Sequence, residues 1–504
     1  MSAVPAPAAG GAPGGKGLKT GAIGFISGVV IGVASTAPGY SLAATLGFVA
    51  IAVGVQAPAI MLLAFVPMFF TAAAYYYLNR ADPDCGTTFS WSTRAFGPWV
   101  GWIGGWAIIV ADIVVMANLA AIAGSYSYLL VGAEDAADNS RAVLVVGVLW
   151  IVLMTLICYV GIEISAKTQW YLLAAELIAL ATFAAVALVR ISFQDIAGEL
   201  TPSLDWINPF AIESSSALAS GLILAIFIYW GWDSTVSVNE ETADSRTNPG
   251  KAAVVSTVIL LGIYVLVSIA AQAYHGLDFL TGDENAADVL GALAGDVLGS
   301  PLDKLLIIAV LTSAAASTQT TILPTTRTAL SMAAKGAAPR YFARVHGRYL
   351  TPSTATIWMG ALSIIWYVGL TLLSENVLFD SLLTLGLMIA FYYGLTAITC
   401  VVYFRRRLFE SVRAFVLIGV APLLGAAILG WAFVKSIIDL ADPANSESGE
   451  SWFGLGPPLV IAIFFAVLGV VLMVLQWRSD PAFFRRRAEV AGPDALEIEP
   501  EAPR

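Results

Sequence analysis

Runs of about 20 consecutive apolar residues recur along almost all of this chain, and a run of that length crosses the hydrocarbon core of a bilayer as one α-helix. They lie at roughly 22–51, 57–79, 99–130, 142–161, 168–190, 214–239, 252–273, 303–333, 353–373, 376–403, 412–436 and 456–477, about twelve in all. Lipid offers no partner to a bare peptide group, so the spanning backbone must bond itself. The expected fold class is therefore an all-α integral membrane protein. Composition agrees: 58% of the 504 residues are hydrophobic and 12% are charged, against about a quarter charged in soluble chains. The first, third, sixth, eighth and tenth runs are long enough to tilt, break or extend beyond the bilayer.

The net charge of −10 hides a sorting by side. With the N-terminus placed in the cytoplasm, alternate loops receive Lys16 and Lys19; Arg80 and Arg94; Lys167; Arg246 and Lys251; Lys335, Arg340, Arg344 and Arg348; Arg405, Arg406, Arg407 and Arg413; then Arg478, Arg485, Arg486 and Arg487. The other loops receive acids: Glu134, Asp135 and Asp138; Asp195, Glu199 and Asp205; Asp278, Asp283, Glu284 and Asp288; Glu375 and Asp380; Asp439, Asp442, Glu447 and Glu450. Arg141 and Lys304 are the main exceptions. Positive loops face the cytoplasm, and one missed pass would invert everything after it, so the pattern supports the count. Both termini are then cytoplasmic and the protein sits in the cell membrane. Residues 1–20, rich in Pro, Ala and Gly, read as a disordered tail. Residues 21–477 form the transmembrane unit, and 478–504 form a second polar tail. The stretches 80–98 and 334–352 read as short interfacial helices on the cytoplasmic side, and 276–301 as carrying a short amphipathic helix outside. Basic clusters are short and border apolar runs, so nucleic acid is not an expected partner.

Two runs are interrupted. The first contains GVASTAPGYS (32–41), where Pro38 lacks an N–H and clashes with the preceding turn. The sixth contains YWGWDS (229–234), with Gly231 between two tryptophans and Asp233 beside them. Breaks inside a bilayer persist where they line a site, and paired breaks in corresponding positions point to an inverted-repeat transporter.

Helix ends supply the chemistry. The start of a half-helix presents N–H groups and partial positive charge, suited to a carboxylate. Unwound carbonyls suit an ammonium or a metal cation. A zwitterionic amino acid needs both. Ser35, Thr36, Ala37, Pro38 and Gly39 are the candidate amide side; Phe227, Tyr229, Trp230 and Gly231 are the candidate carbonyl side, with aromatic walls that also attract a cation.

These segments resemble the amino acid–polyamine–organocation family of permeases over about residues 20–435. The resemblance rests on the broken first run; on YYYLNRADPDCGTTFSWSTRAFGPWVGWIGGW (75–106); on SAKTQWYLLAAEL (165–177); on FIYWGWDSTVSVNEETADSRTNPGKA (227–252); and on Arg327 with SMAAKGAAPRYFARVH (331–346). It implies a five-plus-five inverted repeat, helices 1–5 and 6–10, with two further helices. It also implies secondary active uptake of amino acids or related amines, usually with protons. One departure is ASTAPGYS in the first helix, where many relatives carry a Gly-Ile-Gly type run.

Ionisable residues at mid-membrane cost about 2.5–3.5 kcal/mol on insertion and are functional candidates. Glu176 lies in helix five, where the resemblance places a lysine in some relatives that is thought to replace a coupling sodium ion; a carboxylate there could bind a proton or Na⁺, with Ser317, Thr318 and Gln319 of helix eight nearby. Asp233 matches a helix-six acid of relatives and is expected to cap the second half-helix or to act in gating. Asp112 in helix three is a third candidate. Glu240 and Glu241 are expected to pair with Arg246, Lys251 or basic residues of another loop.

No enzyme is read from this chain. GGAPGGK (10–16) lacks the Ser or Thr of a phosphate loop. Its two histidines, His275 and His346, lie in loops, and its three cysteines are scattered, so no metal site, cofactor or disulfide framework is expected. The expected partners are an amino acid or amine, H⁺ or Na⁺, and the lipid bilayer. Polyamine or small-amine transport and amino acid exchange are the alternatives, with a non-transporting membrane sensor behind them.

Overall fold

The structure, a computed structural model, describes residues 15–373, 375–446 and 448–485. The outer parts of both expected tails, 1–14 and 486–504, lie outside the described residues.

Among the described residues, ten helical stretches are long and apolar enough to cross a membrane. The first, Phe25–Ala81, has 57 residues and would be about 85 Å long if straight. It turns at Gly54–Gln56 and so makes two passes. A broken helix built on Ser215–Ile228 makes another, which gives twelve spans. Span 1 is the half-helix pair Phe25–Ser35 and Pro38–Val53, and span 2 is Ala57–Ala81. Spans 3, 4 and 5 are Pro98–Leu130, Ser140–Val160 and Ile162–Phe193. Span 6 is Ser215–Ile228 followed by the single turn Ser234–Ser237, and span 7 is Asn248–Leu280. Spans 8, 9 and 10 are Lys304–Ala334, Ser353–Leu373 and Glu375–Tyr403; spans 11 and 12 are Val412–Asp439 and Pro457–Ser479.

Packing follows the expected repeat. Span 3 lies along span 8, span 2 along span 7, and the broken spans 1 and 6 meet at their breaks. The apolar window of span 3 is 83% buried and that of span 8 is 78% buried, against 28% for span 4. Spans 3 and 8 are thus the inner wall. Spans 4, 9 and 12 turn residues such as Leu149, Leu156, Ile365 and Val467 outward, the apolar exterior that lipid requires.

The loops differ in part from expectation. Thr88–Phe96 and Val289–Leu298 form the short helices expected after spans 2 and 7. The 334–352 stretch does not form a helix; it holds one four-residue 3₁₀ turn, Arg340–Ala343. Gly336, Pro339, Gly347 and Pro352 punctuate it too often for a longer run. Residues 15–20 are not a free tail. Lys16 bonds Asp84 and Glu240, Leu18 is buried against Cys85 and Leu330, and Lys19 bonds Glu163 at 2.8 Å. Three acids and an apolar pocket hold this Gly-rich strap in spite of its composition. Past span 12, Phe483 and Phe484 are buried on Phe89 and Trp102.

Candidate functional site

The two breaks touch. Span 1 unwinds at Thr36 and Ala37, and Ala37 takes the left-handed conformation at φ 48°. Pro38, whose missing N–H is harmless at a helix start, opens the second half. Span 6 unwinds from Tyr229 to Asp233. There Gly231 has φ +116°, and a Cβ on it would stand 2.6 Å from the Ser35 carbonyl oxygen. Ser35 Oγ lies 2.7 Å from Ser234 Oγ, and Ser317 Oγ donates to the Ser35 carbonyl at 2.9 Å. Ser35 and Ser234 thus join the two breaks, and span 8 fastens the first through Ser317.

The groups freed by unwinding are not left bare. Thr36 and Ala37 amides bond back to Val33 and Ala34. The Gly39 amide donates to Glu176 Oε1 at 2.7 Å, Tyr40 N–H donates to Ser313 Oγ at 3.1 Å, and Ser41 N–H donates to the Ala37 carbonyl at 2.7 Å. On the other break, Tyr264 O–H donates to the Ile228 carbonyl at 2.5 Å, and Gly231 N–H donates to Tyr393 Oη at 3.3 Å.

Above the breaks lies a cavity of about 840 Å³. Its inner wall includes Tyr40, Ala43 and Ala44 of span 1, Asn118 and Ile122 of span 3, Leu224 and Phe227 of span 6, Val310 of span 8 and Leu382 of span 10. Its mouth is edged by Asp138, Asp288 and Asp439 of the acidic loops. Asp288 accepts from Tyr126 O–H at 2.5 Å and caps the Gly291 amide, while Asp439 pairs with Lys435. Burial pushes the Asp288 carboxyl up.

The opposite, basic-loop face is shut. Arg327 and Glu241 form a two-pronged ion pair at 2.9 and 3.0 Å with both side chains fully buried. Lys16 lies 2.9 Å from Asp84 and 2.5 Å from Glu240, and Lys335 lies 2.8 Å from Asp84. Burial alone would raise the Asp84 carboxyl, but the ammonium groups of Lys335 and Lys16 more than offset it and hold it well below the usual carboxylate range. Ligand atoms of Asp84, Cys85 and Glu240 converge within 4.8 Å of one another, the spacing of a metal site. The Lys16 ammonium stands among them, 3.6 Å from Cys85 Sγ, and supplies the cation itself.

Of the candidate substrate residues, Phe227 lines the cavity. Ser35 to Gly39 sit just beyond Tyr40 at the break. Tyr229 turns toward spans 2 and 7, its hydroxyl donating to the Met61 carbonyl at 3.1 Å and its ring edge-on to Tyr264. Trp230 turns toward span 10, where its Nε1–H donates to Tyr392 Oη.

Among the coupling candidates, Glu176 meets Gly39 directly but does not meet Ser317, Thr318 or Gln319. Spans 5 and 8 run antiparallel with Gln169 bonded to Gln319, so Glu176, two turns on, comes level with Ser313. Ser317 goes to Ser35, and Thr318 bonds Ala314 within its own helix at 2.8 Å. Asp233 occupies the cap position of the lower half-helix without a side-chain cap bond. Instead Tyr393 and Tyr392 donate to its two carboxylate oxygens at 2.8 and 3.3 Å. Asp112 accepts from Thr325 O–H at 2.5 Å. Glu241 and Glu240 take Arg327 and Lys16, not Arg246 or Lys251; Arg246 bonds the Arg80 carbonyl instead.

Sequence reading missed Ser313, Ser234, Tyr264 and the Tyr392–Tyr393 pair. Ser313 and Ser317 are one turn apart on span 8, and that polar stripe in an apolar helix was the available signal.

A model of the family described as amino acid permease matches residues 20–475. The chain is 26% identical over 425 residues to the human Asc-type amino acid transporter 1, covering 82% of this chain and 74% of that one. It is 25% identical over 449 residues to an arginine/ornithine antiporter of Latilactobacillus sakei (83% and 91% covered). It is 24% identical over 422 residues to the branched-chain amino acid permease BcaP of Lactococcus lactis subsp. cremoris (80% and 85% covered).

Proposed function

Since this chain belongs to the amino acid permease family, we propose that it is a secondary active transporter that imports an amino acid by proton symport through alternating access. The observation that carries the reading is the meeting of two unwound helices at the foot of a cavity open on one face and shut on the other. A half-helix start beside unwound carbonyls offers both ends of a zwitterion a partner. The cavity wall next to the breaks mixes apolar residues with the uncharged polar Tyr40, Thr45, Asn118 and Ser220 and carries no charged side chain, which suits an amino acid with an uncharged side chain.

The charge sorting of the loops supports a cell-membrane protein with both termini in the cytoplasm. The cavity then faces outward, toward solute to be imported. Ser35 to Gly39 and Phe227 to Gly231 hold the solute. Glu176 takes the coupling proton, and Asp233 acts with its tyrosines in the gate between breaks and basic-loop face. Asp112 is the weakest of these assignments, because Thr325 already holds it. Ser317 and Thr318 belong to the wall of span 8, with Ser317 fastening the first break.

Polyamine transport is disfavoured by the cavity. A dication needs several free carboxylates; of the three acids at the mouth, Asp439 is paired with Lys435 and Asp288 is bonded to Tyr126, which leaves Asp138. Exchange is the second reading, favoured by the antiporter among the relatives. Purified protein in liposomes, given a panel of labelled amino acids and amines under imposed proton or sodium gradients, tests the proposal. Uphill uptake of amino acids with an inward proton gradient is expected. Uptake only against preloaded amino acid would replace symport by exchange, and no uptake of any amino acid would end the reading.

A further inference from the structure

We infer that Glu176 and the carboxylate of the carried amino acid compete for one place, the amide end of half-helix Pro38–Val53, and that this competition loads the coupling proton. The inference rests on the amino acid transport reading above. The place is defined by its donors. Pro38 has no N–H, Gly39 N–H is held by Glu176 Oε1 at 2.7 Å, Tyr40 N–H by Ser313 Oγ at 3.1 Å, and Ser41 N–H by the Ala37 carbonyl. The half-helix has 16 residues, long enough to focus positive potential on that end. A solute carboxylate can reach these amides only by displacing a group already there.

Glu176 is the group poised for displacement. Its side chain is fully buried, and its second oxygen, Oε2, has no hydrogen-bond partner. No basic side chain answers it from the elements packed around it. Span 1 presents Tyr40, span 7 presents Tyr264, whose hydroxyl is committed to Ile228, and span 8 presents Ser313. Span 4 presents Cys158, bonded to the Gln319 carbonyl, and the loop helix Val289–Leu298 presents Asp296, paired with His275 beside Arg190. On span 5 itself Lys167 and Arg190 lie roughly 13 and 20 Å along the axis. Tyr40, next to Gly39, and Val310, one turn from Ser313, line the cavity, so its wall lies one residue from this point and Gly39, Glu176 and Ser313 sit directly behind it.

The step follows from charge. An arriving carboxylate takes the Gly39 N–H and strips Glu176 of it. Before the solute arrives, the Gly39 N–H and the positive end of the half-helix answer the Glu176 carboxylate; once the solute takes that place, two carboxylates side by side in a dry site cannot both stay ionised. Glu176 takes one proton from cavity water, and its new O–H donates to the solute carboxylate. One proton and one solute are then held together, and no other bond changes. A solute without a carboxylate leaves Glu176 on Gly39 and carries no proton.

The test uses full-length protein in liposomes enclosing a pH dye, with signals from protein-free liposomes subtracted. Alanine and leucine are compared with alaninamide and leucinamide, which keep the ammonium and side chain. Wild-type protein is expected to acidify the lumen with the amino acids and not with the amides, an arm that needs no variant. Glu176→Gln is expected to lose the acidification whatever counterflow of labelled amino acid it retains, and the wild-type comparison of acids with amides carries the test without it. Equal acidification by amides and acids, or acidification by Glu176→Gln, overturns the inference. Counterflow without acidification in wild-type protein removes the inference and proton symport with it and leaves amino acid transport standing; absence of counterflow for every amino acid removes all three.

Discussion

Gly231 and Ser35 lie in direct backbone contact, close enough that a single methyl group on Gly231 would stand 2.6 Å from the Ser35 carbonyl oxygen. The two interruptions fit together only because one of them has no side chain at the point of closest approach.

Gly231→Ala therefore meets two obstacles. At φ +116° a Cβ costs about 1–3 kcal/mol in backbone strain alone, and the contact with Ser35 adds to it. The expected result is a lower thermal unfolding midpoint in detergent and loss of uptake. A variant that melts and transports like the wild type would show that the breaks are not in contact.

Removing one partner of the Arg327–Glu241 pair leaves a buried charge unanswered, which costs about 3–5 kcal/mol. Arg327→Met or Glu241→Met alone should sharply lower the unfolding midpoint. The double variant, which buries no charge, should recover most of the loss. Additive losses in the double variant would mean that the two residues act independently.

The strap around Lys16 is tested through Cys85, which it covers. Deleting residues 1–20 should open Cys85 and speed its alkylation at alkaline pH, read by peptide mass spectrometry, whereas Lys16→Ala alone takes away the ammonium that favours the thiolate and should not. Cys400, buried near span 11, stays unreactive in both.

The same cluster gives a pH signature. Asp84 titrates below its unfolded value of about 3.9, so its contribution to stability is fully present above that value. It is lost as pH falls through the folded one. The stability gap between wild type and Asp84→Asn should be flat from about pH 8 to 5 and should close in more acidic solution. A gap that closed near neutrality would contradict the pairing.

Ala44 borders open space in the cavity, so a larger residue there fills volume without crowding a packed core. Ala44→Trp should abolish uptake with an unchanged melting midpoint. Wild-type uptake by this variant would place the solute route elsewhere.

How much of this was legible in the sequence depends on range. The spans and both breaks could be read because each is a local fact: twenty apolar residues, or a Pro or Gly among hydroxyls. The partners of the buried charges could not. Arg327 and Glu241 are 86 residues apart, and Glu176 is 137 from Gly39. The register of span 5 on span 8 selects Ser313 over Ser317, and no periodicity within either helix reveals that register. Lys16 escaped because a Gly-rich segment reads as disordered until the acids that hold it are in place.

Ile23, just before span 1, and Thr242, just after span 6, form a two-rung ladder: Ile23 N–H donates to the Glu241 carbonyl at 3.0 Å, and Ala243 N–H donates to the Ile23 carbonyl at 2.8 Å. This clamp joins the lower pieces of both broken helices below their hinges. Moving one piece without the other would break both of these hydrogen bonds. On the transport reading, the two lower pieces are therefore expected to move together as one leaf when this face opens.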